Sequence, residues 1–309
     1  MRGMHAPMCN GRPFLSTRAG TLGLTPYDLR TAVRRGALRR LLRGVYVDAT
    51  AGDTRELRIA ALALILPRDG VAWGRTAAWM WGIDCFGPGE RDLLVPECAV
   101  PHHSMRPGHP TIRVVERCLA AGDITELGGV RVTTPLRTAL DLARSLDRPM
   151  ALAALDAFAH AGMVDVAELR QGAARLTHHP GIVQARELIG WVESLTESPG
   201  ESWLRLRLLD AGFPRPVAQI PLLDERRHAV FRLDLGYPDH RLAVEYDGRD
   251  WHGTPAQRAR DDRRRQRIVE QFGWQLLSSN LGDVMGRYPA VELAVGEALG
   301  LEPVLPRRW

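Results

Sequence analysis

In this chain of 309 residues, the feature that most restricts the possible folds is the stretch from Phe231 to Gly253, FRLDLGYPDHRLAVEYDGRDWHG. Its pattern predicts two short strands joined by a polar turn centred near residues 239–240. Side chains alternate between the two faces of a strand, so Asp234 and Glu245 both point away from their apolar neighbours. Pairing about that turn places the two acids opposite each other, with Cβ atoms about 5 Å apart. Two carboxylates this close repel unless a cation or a proton lies between them.

Two interpretations of these acids are open. Alternating acids are typical of the solvated face of an antiparallel sheet. Alternatively, Asp234 and Glu245 bind Mg²⁺ or Mn²⁺, because such cations take one or two carboxylates and complete their shell with water and phosphate. Three neighbouring features favour metal binding. Gly248 allows a sharp exit from the strand, His252 is a candidate proton carrier, and Glu201 on the preceding predicted helix is a candidate accessory acid.

The acids lie in a predicted α/β domain at residues 197–309. Its predicted elements are a helix ESWLRLRLLDAG with Leu204, Leu208 and Leu209 on one side, a strand PVAQIPLL, the hairpin, a long helix capped by Thr254, a strand WQLLSS and a helix YPAVELAVGEAL. This order predicts helices packed on a small mixed sheet.

Within this domain, the order of motifs resembles the very-short-patch-repair-like branch of the PD-(D/E)XK nuclease superfamily. The matching motifs are Asp234, Glu245-Tyr246-Asp247-Gly248, His252 and Asp262-Arg263, and the resemblance extends over about residues 198–274. It implies a restriction-endonuclease-like α/β domain that hydrolyses DNA phosphodiesters with Mg²⁺. It implies Asp234 and Glu245 as metal ligands, Glu201 as an accessory acid and His252 as the general base.

The sequence departs from the superfamily pattern at one candidate catalytic position. Asp247 stands where the superfamily has a lysine, and the chain contains no lysine at all. The repair-endonuclease branch also lacks that lysine and relies on histidine, so the departure does not exclude activity. Arg258 and Arg263 on the long helix are candidate contacts to a nucleic-acid backbone. Alternatively, the arginines of this helix pair with Asp261 and Asp262 in structural salt bridges.

Residues 1–52 show the order of a winged helix: helix, turn, helix, hairpin. Ser16 is the predicted cap of a short first helix. Thr25, followed by Pro26, is the predicted cap of a second helix that ends at Gly36. LRRLLRGVYV then predicts strand, glycine turn and strand. The candidate DNA-binding residues on this second helix and wing are Arg34, Arg35, Arg39, Arg40 and Arg43.

Two segments resemble the AbiEi-type antitoxins. TPYDLRTAVRRGALRRLLRGVYV resembles their N-terminal domain, and GGVRVTTPLRTALDLAR resembles their central region. The first resemblance implies DNA binding, and the second implies a helper domain without catalysis. The alternative for the N-terminal cluster is a solvated arginine face on an ordinary small helical unit.

The middle segment, residues 53–196, is predicted to be mainly helical. Its predicted elements are buried helices TRELRIAALALILP and RTAAWMWGI, strands RDLLVP and IRVVER, and a capped helix from Thr134. His102 and His103 have no acid or cysteine at ligand spacing, so we expect an exposed loop there and no metal site. Residues 171–200 are predicted to be a helical connector that ends in a hinge at 198–200.

Composition sets outer limits on the function. An apolar share of 45% with 25% charged residues is typical of a soluble globular protein. The longest apolar run, IAALALILP, is too short to cross a bilayer, and the N-terminus lacks a signal-peptide core. Four scattered cysteines indicate free thiols. We therefore expect a cytoplasmic protein with no membrane contact.

Two functions of different class follow from these features. In the first, the C-terminal domain is a metal-dependent DNA endonuclease and the winged helix holds the target DNA. In the second, the chain is an AbiEi-type antitoxin that represses its own operon, and its nuclease fold is degenerate. The second function implies a nucleotidyltransferase-like toxin as a partner.

Overall fold

A computed structural model describes residues 9–85, 87, 95–101, 112–248, 255–305 and 309. The chain forms two compact units, Met1–Leu142 and Ala143–Trp309. This division differs from the predicted boundaries after residues 52 and 196, because the helices between 143 and 196 belong with the C-terminal sheet. In the part of the chain that is described, no helix has the length and apolar character needed to cross a membrane.

The first unit begins with two helices and a hairpin in the predicted order, although the first helix is a 3-10 helix and the strand before it was not predicted. The elements are β1 (Phe14–Leu15), a 3-10 helix (Ser16–Leu22), α1 (Pro26–Arg34), β2 (Leu38–Leu42) and β3 (Val45–Asp48), with sheet order β1-β3-β2. The predicted start of α1 is confirmed, since Thr25 and Asp28 form a reciprocal capping box. The predicted cap at Ser16 is wrong. Leu15 is the N-cap of the 3-10 helix, and the Ser16 amide donates to the Gly44 carbonyl at 2.8 Å.

The remainder of the first unit is a mixed α/β arrangement. Its helices are α2 (Arg55–Ala63) and α3 (Gly74–Trp81), and α4 (Pro135–Ser145) crosses into the second unit. Its strands are β4 (Val71–Ala72), β5 (Glu97–Val100), β6 (Arg113–Glu116), β7 (Ile124–Leu127) and β8 (Val130–Thr133), in the order β6-β5-β4-β8-β7.

The described part of residues 53–196 contains more helix than strand, as predicted, but the sequence predicted only two strands in this segment. Each of these five strands has four residues or fewer, too few for alternation to stand out in the sequence. The predicted helices α2, α3 and α4 and the predicted strand β6 are confirmed. Residues 91–94 of the predicted strand RDLLVP, together with His102 and His103, lie outside the described residues.

The second unit begins, after α4, with four helices. They are α5 (Arg148–His160), α6 (Val166–Arg175), α7 (Ile182–Ile189) and α8 (Pro199–Asp210). The predicted amphipathic character of α8 is wrong, because all residues from 200 to 208 are buried. Two of these are arginines that would have marked a solvated face. Arg205 pairs with Asp156 of α5, and Arg207 pairs with Glu292 near the C-terminus.

The predicted hinge at 198–200 is also wrong. Ser198 is the N-cap of α8, and its side chain accepts a hydrogen bond from the Glu201 amide. A Cβ atom on Gly200 would lie 2.0 Å from the Tyr246 ring, so the first turn of the helix packs directly against the sheet. A glycine that looks like a flexible joint in the sequence is here a point of close approach.

The sheet of the second unit matches the predicted small mixed sheet. It contains β9 (Val217–Leu223), β10 (Ala229–Tyr237), β11 (Leu242–Tyr246) and β12 (Gln275–Ser279), in the order β12-β11-β10-β9. The β9–β10–β11 pairs are antiparallel and β11–β12 is parallel. The later helices are α9 (Pro255–Phe272), α10 (Leu281–Met285) and α11 (Ala290–Leu299). Leu204, Leu208, Val244 and Val295 share one core, while Ile268 of α9 packs with Ala243 and Trp274 in another.

Candidate functional site

The hairpin β10–β11 brings Asp234 and Glu245 together as predicted. Its register pairs Leu235 with Val244 and Gly236 with Ala243, and the next step places Asp234 opposite Glu245. The Oδ2 atom of Asp234 accepts a hydrogen bond from the Tyr246 amide at 3.1 Å. The prediction that these two acids share one face of a hairpin is therefore confirmed.

Asp234 is held where its charged form is disfavoured. Burial raises the pKa of its carboxyl, and the negative charges of Glu201 and Glu245 raise it further, to about 6. The Tyr246 amide and the Arg264 guanidinium act in the opposite direction. This carboxyl therefore binds a proton at mildly acidic pH. Such a proton is one of the two ways to remove the repulsion between the paired carboxylates, the other being a cation.

The negative charge of Glu245 is neutralised by an arginine of the same chain. Arg264 of α9 donates from Nη1 to Glu245 Oε2 at 2.8 Å and from Nη2 to Oε1 at 2.7 Å. The same Nη2 atom donates to the Arg232 carbonyl at 3.1 Å. Glu245 is buried, with 8% of its surface exposed. Arg264 and Glu245 thus form a bidentate ion pair that is packed against the sheet.

Glu201 completes the acidic group from the first turn of α8. Its Oε1 atom accepts from the Ser198 hydroxyl at 2.8 Å, and its Oε2 atom accepts from the Gln219 amide at 2.8 Å and the Glu197 backbone amide at 3.1 Å. These donors are neutral. Gln219 of β9 has a positive φ of 55°, an uncommon conformation for a residue with a side chain.

Asp234 and Glu245 border an open cleft of about 310 Å³. It is lined by Asp234, Glu245, Tyr246, Asp247, Gly248, Asp261, Arg264, Arg265 and Ser278. Asp247 is half exposed, and its carboxylate lies 3.8 Å from the Arg265 guanidinium. Arg263 is exposed and does not line the cleft. Two of the predicted site residues, His252 and the Arg258 side chain, lie outside the described residues.

The donor set offers oxygen ligands of the type that Mg²⁺ and Mn²⁺ prefer. The arrangement, however, is not that of a formed metal centre. Within the described ranges, no three histidine, cysteine or acidic side chains are grouped so as to hold an ion. Both oxygens of Glu245 accept hydrogen bonds from Arg264.

Sequence reasoning missed Arg264 and Gln219. Arg264 could have been found, because it lies four residues before Ile268, the buried residue that fixes which side of α9 faces the sheet. Reasoning from the motif selected Arg263 instead, one residue away and about 100° around the helix. Gln219 could not have been found, since nothing in PVAQIPLL indicates the backbone irregularity that turns its side chain toward Glu201.

The N-terminal arginines fall into two classes. Arg34, Arg35, Arg40 and Arg43 are exposed on α1 and the β2–β3 hairpin, as predicted. Arg39 is half-buried and donates a hydrogen bond to the Ala51 carbonyl at 2.9 Å, so its guanidinium makes a contact within the fold.

The structure adds two exposed residues to this surface. Tyr27 is 64% exposed, and Arg30 is exposed beside it. Together with Arg34 they lie at positions i, i+3 and i+7 of α1, which share one face of a helix. The opposite face carries the buried residues Leu29 and Ala32. We call Tyr27, Arg30, Arg34, Arg40 and Arg43 the basic face.

Comparison with known proteins places the chain among relatives. A family model described as the AbiEi antitoxin C-terminal domain matches residues 70–191. The AbiEi-like segment at 128–144 lies inside that match, and the one at 25–47 lies outside it. Two proteins of Mycobacterium tuberculosis, from strains H37Rv and CDC 1551, are each 33% identical to this chain over 266 residues. Both are described as uncharacterized. The alignments cover 84% of this chain and 92% of each relative. The chain therefore belongs to the family of these mycobacterial proteins, and its residues 70–191 match the model of the AbiEi antitoxin C-terminal domain.

Proposed function

We propose that this chain is a DNA-binding regulator of the antitoxin class, with an N-terminal winged helix that holds double-stranded DNA. The observation that carries the proposal is the basic face, whose residues lie outside the matched segment, on one helix and the hairpin that follows it. In winged-helix proteins such a helix enters the major groove while the hairpin contacts the backbone. The order of elements and the exposed arginines support this assignment.

The charges of this surface favour a polyanion. Arg30, Arg34, Arg40 and Arg43 project into solvent, where they can reach phosphate oxygens. The acid on the same helix, Asp28, accepts hydrogen bonds from the Thr25 amide and hydroxyl in the capping box. Asp28 therefore contributes to the start of α1.

A binding assay with the duplex upstream of the chain's own gene tests this function. Arg34→Gln combined with Arg43→Gln should weaken binding at low salt by about tenfold or more, since each phosphate contact contributes to affinity. Arg226→Gln combined with Arg227→Gln is the matched control, because it removes the same charge from exposed positions of the second unit. Equal affinity of the two double variants would contradict the proposal.

The antitoxin class implies a second partner. We propose a protein toxin of the nucleotidyltransferase-like type, encoded beside this gene. Co-expression of the two adjacent genes with an affinity tag on one product tests it. A stable complex, and growth that the toxin alone arrests, are the expected results. Separate elution of the two proteins, or a neighbouring gene of unrelated type, would remove this partner while leaving DNA binding intact.

A second candidate function rests on the cleft alone: hydrolysis of DNA phosphodiesters by a metal-dependent nuclease domain. The observation that favours it is the convergence of Asp234, Glu245 and Glu201, with the pKa of Asp234 raised to about 6. Clustered acids with a shifted pKa in a cleft are frequent at catalytic sites. A surface acid on a solvated strand would instead lie apart from other acids and keep its proton affinity.

The chain's own residues define what each group would do in this second function. Asp234 and Glu245 would hold Mg²⁺ or Mn²⁺, with Glu201 holding Gln219 and the first turn of α8 in place behind them. A bound divalent cation would polarise a phosphate oxygen and increase the acidity of water. Arg265, which is exposed and lines the cleft beside Asp247, would meet the nucleic acid. The role of His252 as general base remains a prediction.

Nicking of supercoiled plasmid in Mg²⁺ or Mn²⁺ tests the nuclease. Asp234→Asn should abolish cleavage and leave DNA affinity unchanged, because the basic face is untouched. Asp239→Asn is the control, since Asp239 is an exposed acid in the turn of the same hairpin. Cleavage that persists in Asp234→Asn, or no cleavage by the wild type, would leave the regulator as the function.

A further inference from the structure

A single guanidinium occupies the place at which a divalent cation would meet Glu245. Arg264 uses both oxygens of that carboxylate, at 2.7 and 2.8 Å. It approaches from α9, on the helix face that carries the buried Ile268. Its third contact, to the Arg232 carbonyl at 3.1 Å, fixes the plane of the group against β10. The contact is therefore a built feature of the fold and not a chance surface pairing.

The charge of Arg264 is permanent under ordinary conditions. An arginine guanidinium keeps its proton throughout the ordinary pH range. The ion pair therefore cannot be released by loss of a proton. It can be released only by movement of the side chain, for which the open cleft leaves room. The Arg264 side chain is 32% exposed, whereas that of Glu245 is 11% exposed, so the arginine is the partner with access to solvent.

A metal ion and Arg264 compete for the same atoms. An ion bound by Asp234 and Glu245 needs at least one oxygen of Glu245, and it brings a second positive charge to that point. Two cations in contact with one carboxylate repel each other, and the burial of Glu245 reduces the screening of this repulsion by water. Metal binding at this cleft must therefore draw Arg264 away from Glu245.

We propose that Arg264 is an internal cation that keeps the acidic cleft closed to divalent metal, and that a nucleic-acid phosphate opens the cleft by attracting the guanidinium. A phosphate offers the same two-point geometry to arginine as a carboxylate does. Metal and nucleic acid would then bind with positive coupling, each assisted by the other. This inference rests on the second proposed function, since it assumes that the cleft takes a metal.

Titration with Mn²⁺ alone, followed by the electron paramagnetic resonance signal of free Mn²⁺, tests the competition without any reaction. Arg264→Gln should bind Mn²⁺ about tenfold tighter than the wild type, or more, because a charge-assisted two-point contact is removed. Arg264→Lys should give an intermediate affinity, since lysine keeps the charge and loses the planar fork. The lysine variant also keeps the test available if Arg264→Gln fails to fold, because it leaves Glu245 a partner. Arg263→Gln, which removes the same charge one residue away on the exposed side, should bind like the wild type.

The possible outcomes distinguish failure of this inference from failure of the proposed nuclease function. Equal Mn²⁺ affinity in the wild type and in both Arg264 variants would overturn the competition and leave the metal site standing. An Arg263→Gln affinity as high as that of Arg264→Gln would also overturn it, because general charge would then be the cause. No Mn²⁺ uptake by any form would overturn the nuclease proposal itself. Uptake must also disappear when Glu245→Gln is added to Arg264→Gln; persistence would place the ion elsewhere. A short DNA duplex should tighten Mn²⁺ binding to the wild type and leave that of Arg264→Gln unchanged.

Discussion

The ring of Tyr246 lies directly against Gly200, so that a Cβ atom on this glycine would be 2.0 Å from Cε1 of the ring. Through this contact the first turn of α8, which carries Glu201, is set against the strand that carries Glu245. The Tyr246 amide also donates to Asp234. One close approach therefore fixes the relative positions of all three acids.

We expect Gly200→Ala to destabilise the protein by about 1–3 kcal/mol, because an added methyl group forces the ring or the helix to move. Gly20→Ala is the control, since no atom outside its neighbours lies within 4 Å of the new Cβ. Urea unfolding of both variants measures the difference. Adding Tyr246→Ala to Gly200→Ala should relieve the clash, giving a double variant that is more stable than the sum of the single changes predicts. Strict additivity would contradict the contact.

Asp234→Asn should make stability depend less on pH. The pKa of Asp234 rises from 3.8 to about 6 on folding, so the folded protein binds this proton more tightly than the unfolded chain does. The contribution of this proton to the free energy of unfolding is fully present below the unfolded pKa of 3.8. It is lost as pH rises through the folded pKa of about 6, and it stays lost above that pH. Asparagine carries no charge and keeps an acceptor for the Tyr246 amide.

We therefore expect Asp234→Asn to be about 2 kcal/mol more stable than the wild type at pH 7.5 and nearly equal to it near pH 4. Urea unfolding at a series of pH values measures this. The exposed turn residue Asp239, changed to asparagine, should show no such trend. A difference that stays constant between pH 4 and pH 7.5 would mean that Asp234 is not the group that titrates.

The sequence predicted those parts of the site that depend on local rules. Alternation along β10 and β11 and the position of the turn were sufficient to place Asp234 opposite Glu245. The capping signals of Thr25 and Pro26 were likewise sufficient to fix the start of α1. Each of these features is decided within a few residues, where propensity and periodicity act.

Features that depend on distant partners were not predictable in this way. Arg205 and Arg207 mark a solvated helix face in the sequence, yet they are buried against acids 49 and 85 residues away in the chain. Gly200 has the sequence context of a hinge and is instead a packing contact with Tyr246. In each case a tertiary partner overrides the local preference, and a single sequence does not indicate which partner that is.

Arg39 and Arg40 are adjacent on β2 and should respond differently to substitution. Arg40 is exposed on the basic face, so Arg40→Gln should lower the slope of log affinity against log salt by about 0.9 and leave stability unchanged. Arg39 donates to the Ala51 carbonyl, so Arg39→Gln should lower the melting temperature and leave the slope unchanged. Fluorescence anisotropy at several salt concentrations, with thermal unfolding beside it, measures both. Equal slopes for the two variants would exclude Arg40 as a phosphate contact.

Arg207→Met should be among the most damaging single changes in the second unit. Arg207 is 2% exposed and donates from Nε to Glu292 at 2.8 Å and from Nη1 to the Val284 carbonyl at 2.7 Å. Without it, the Glu292 carboxylate is buried and loses its guanidinium. Removal of one member of a buried ion pair costs about 3–5 kcal/mol.

The double change Arg207→Met with Glu292→Leu separates the charge from the packing. It should recover most of the lost stability, because two apolar side chains of similar volume need no compensation. The exposed Arg175→Gln should change stability by less than about 0.5 kcal/mol. Because α8 also carries Glu201, Arg207→Met should disturb the cleft as well, whereas the double variant should retain it. A loss below about 1 kcal/mol for Arg207→Met, measured by urea unfolding, would show that the pair does not hold α8 in place.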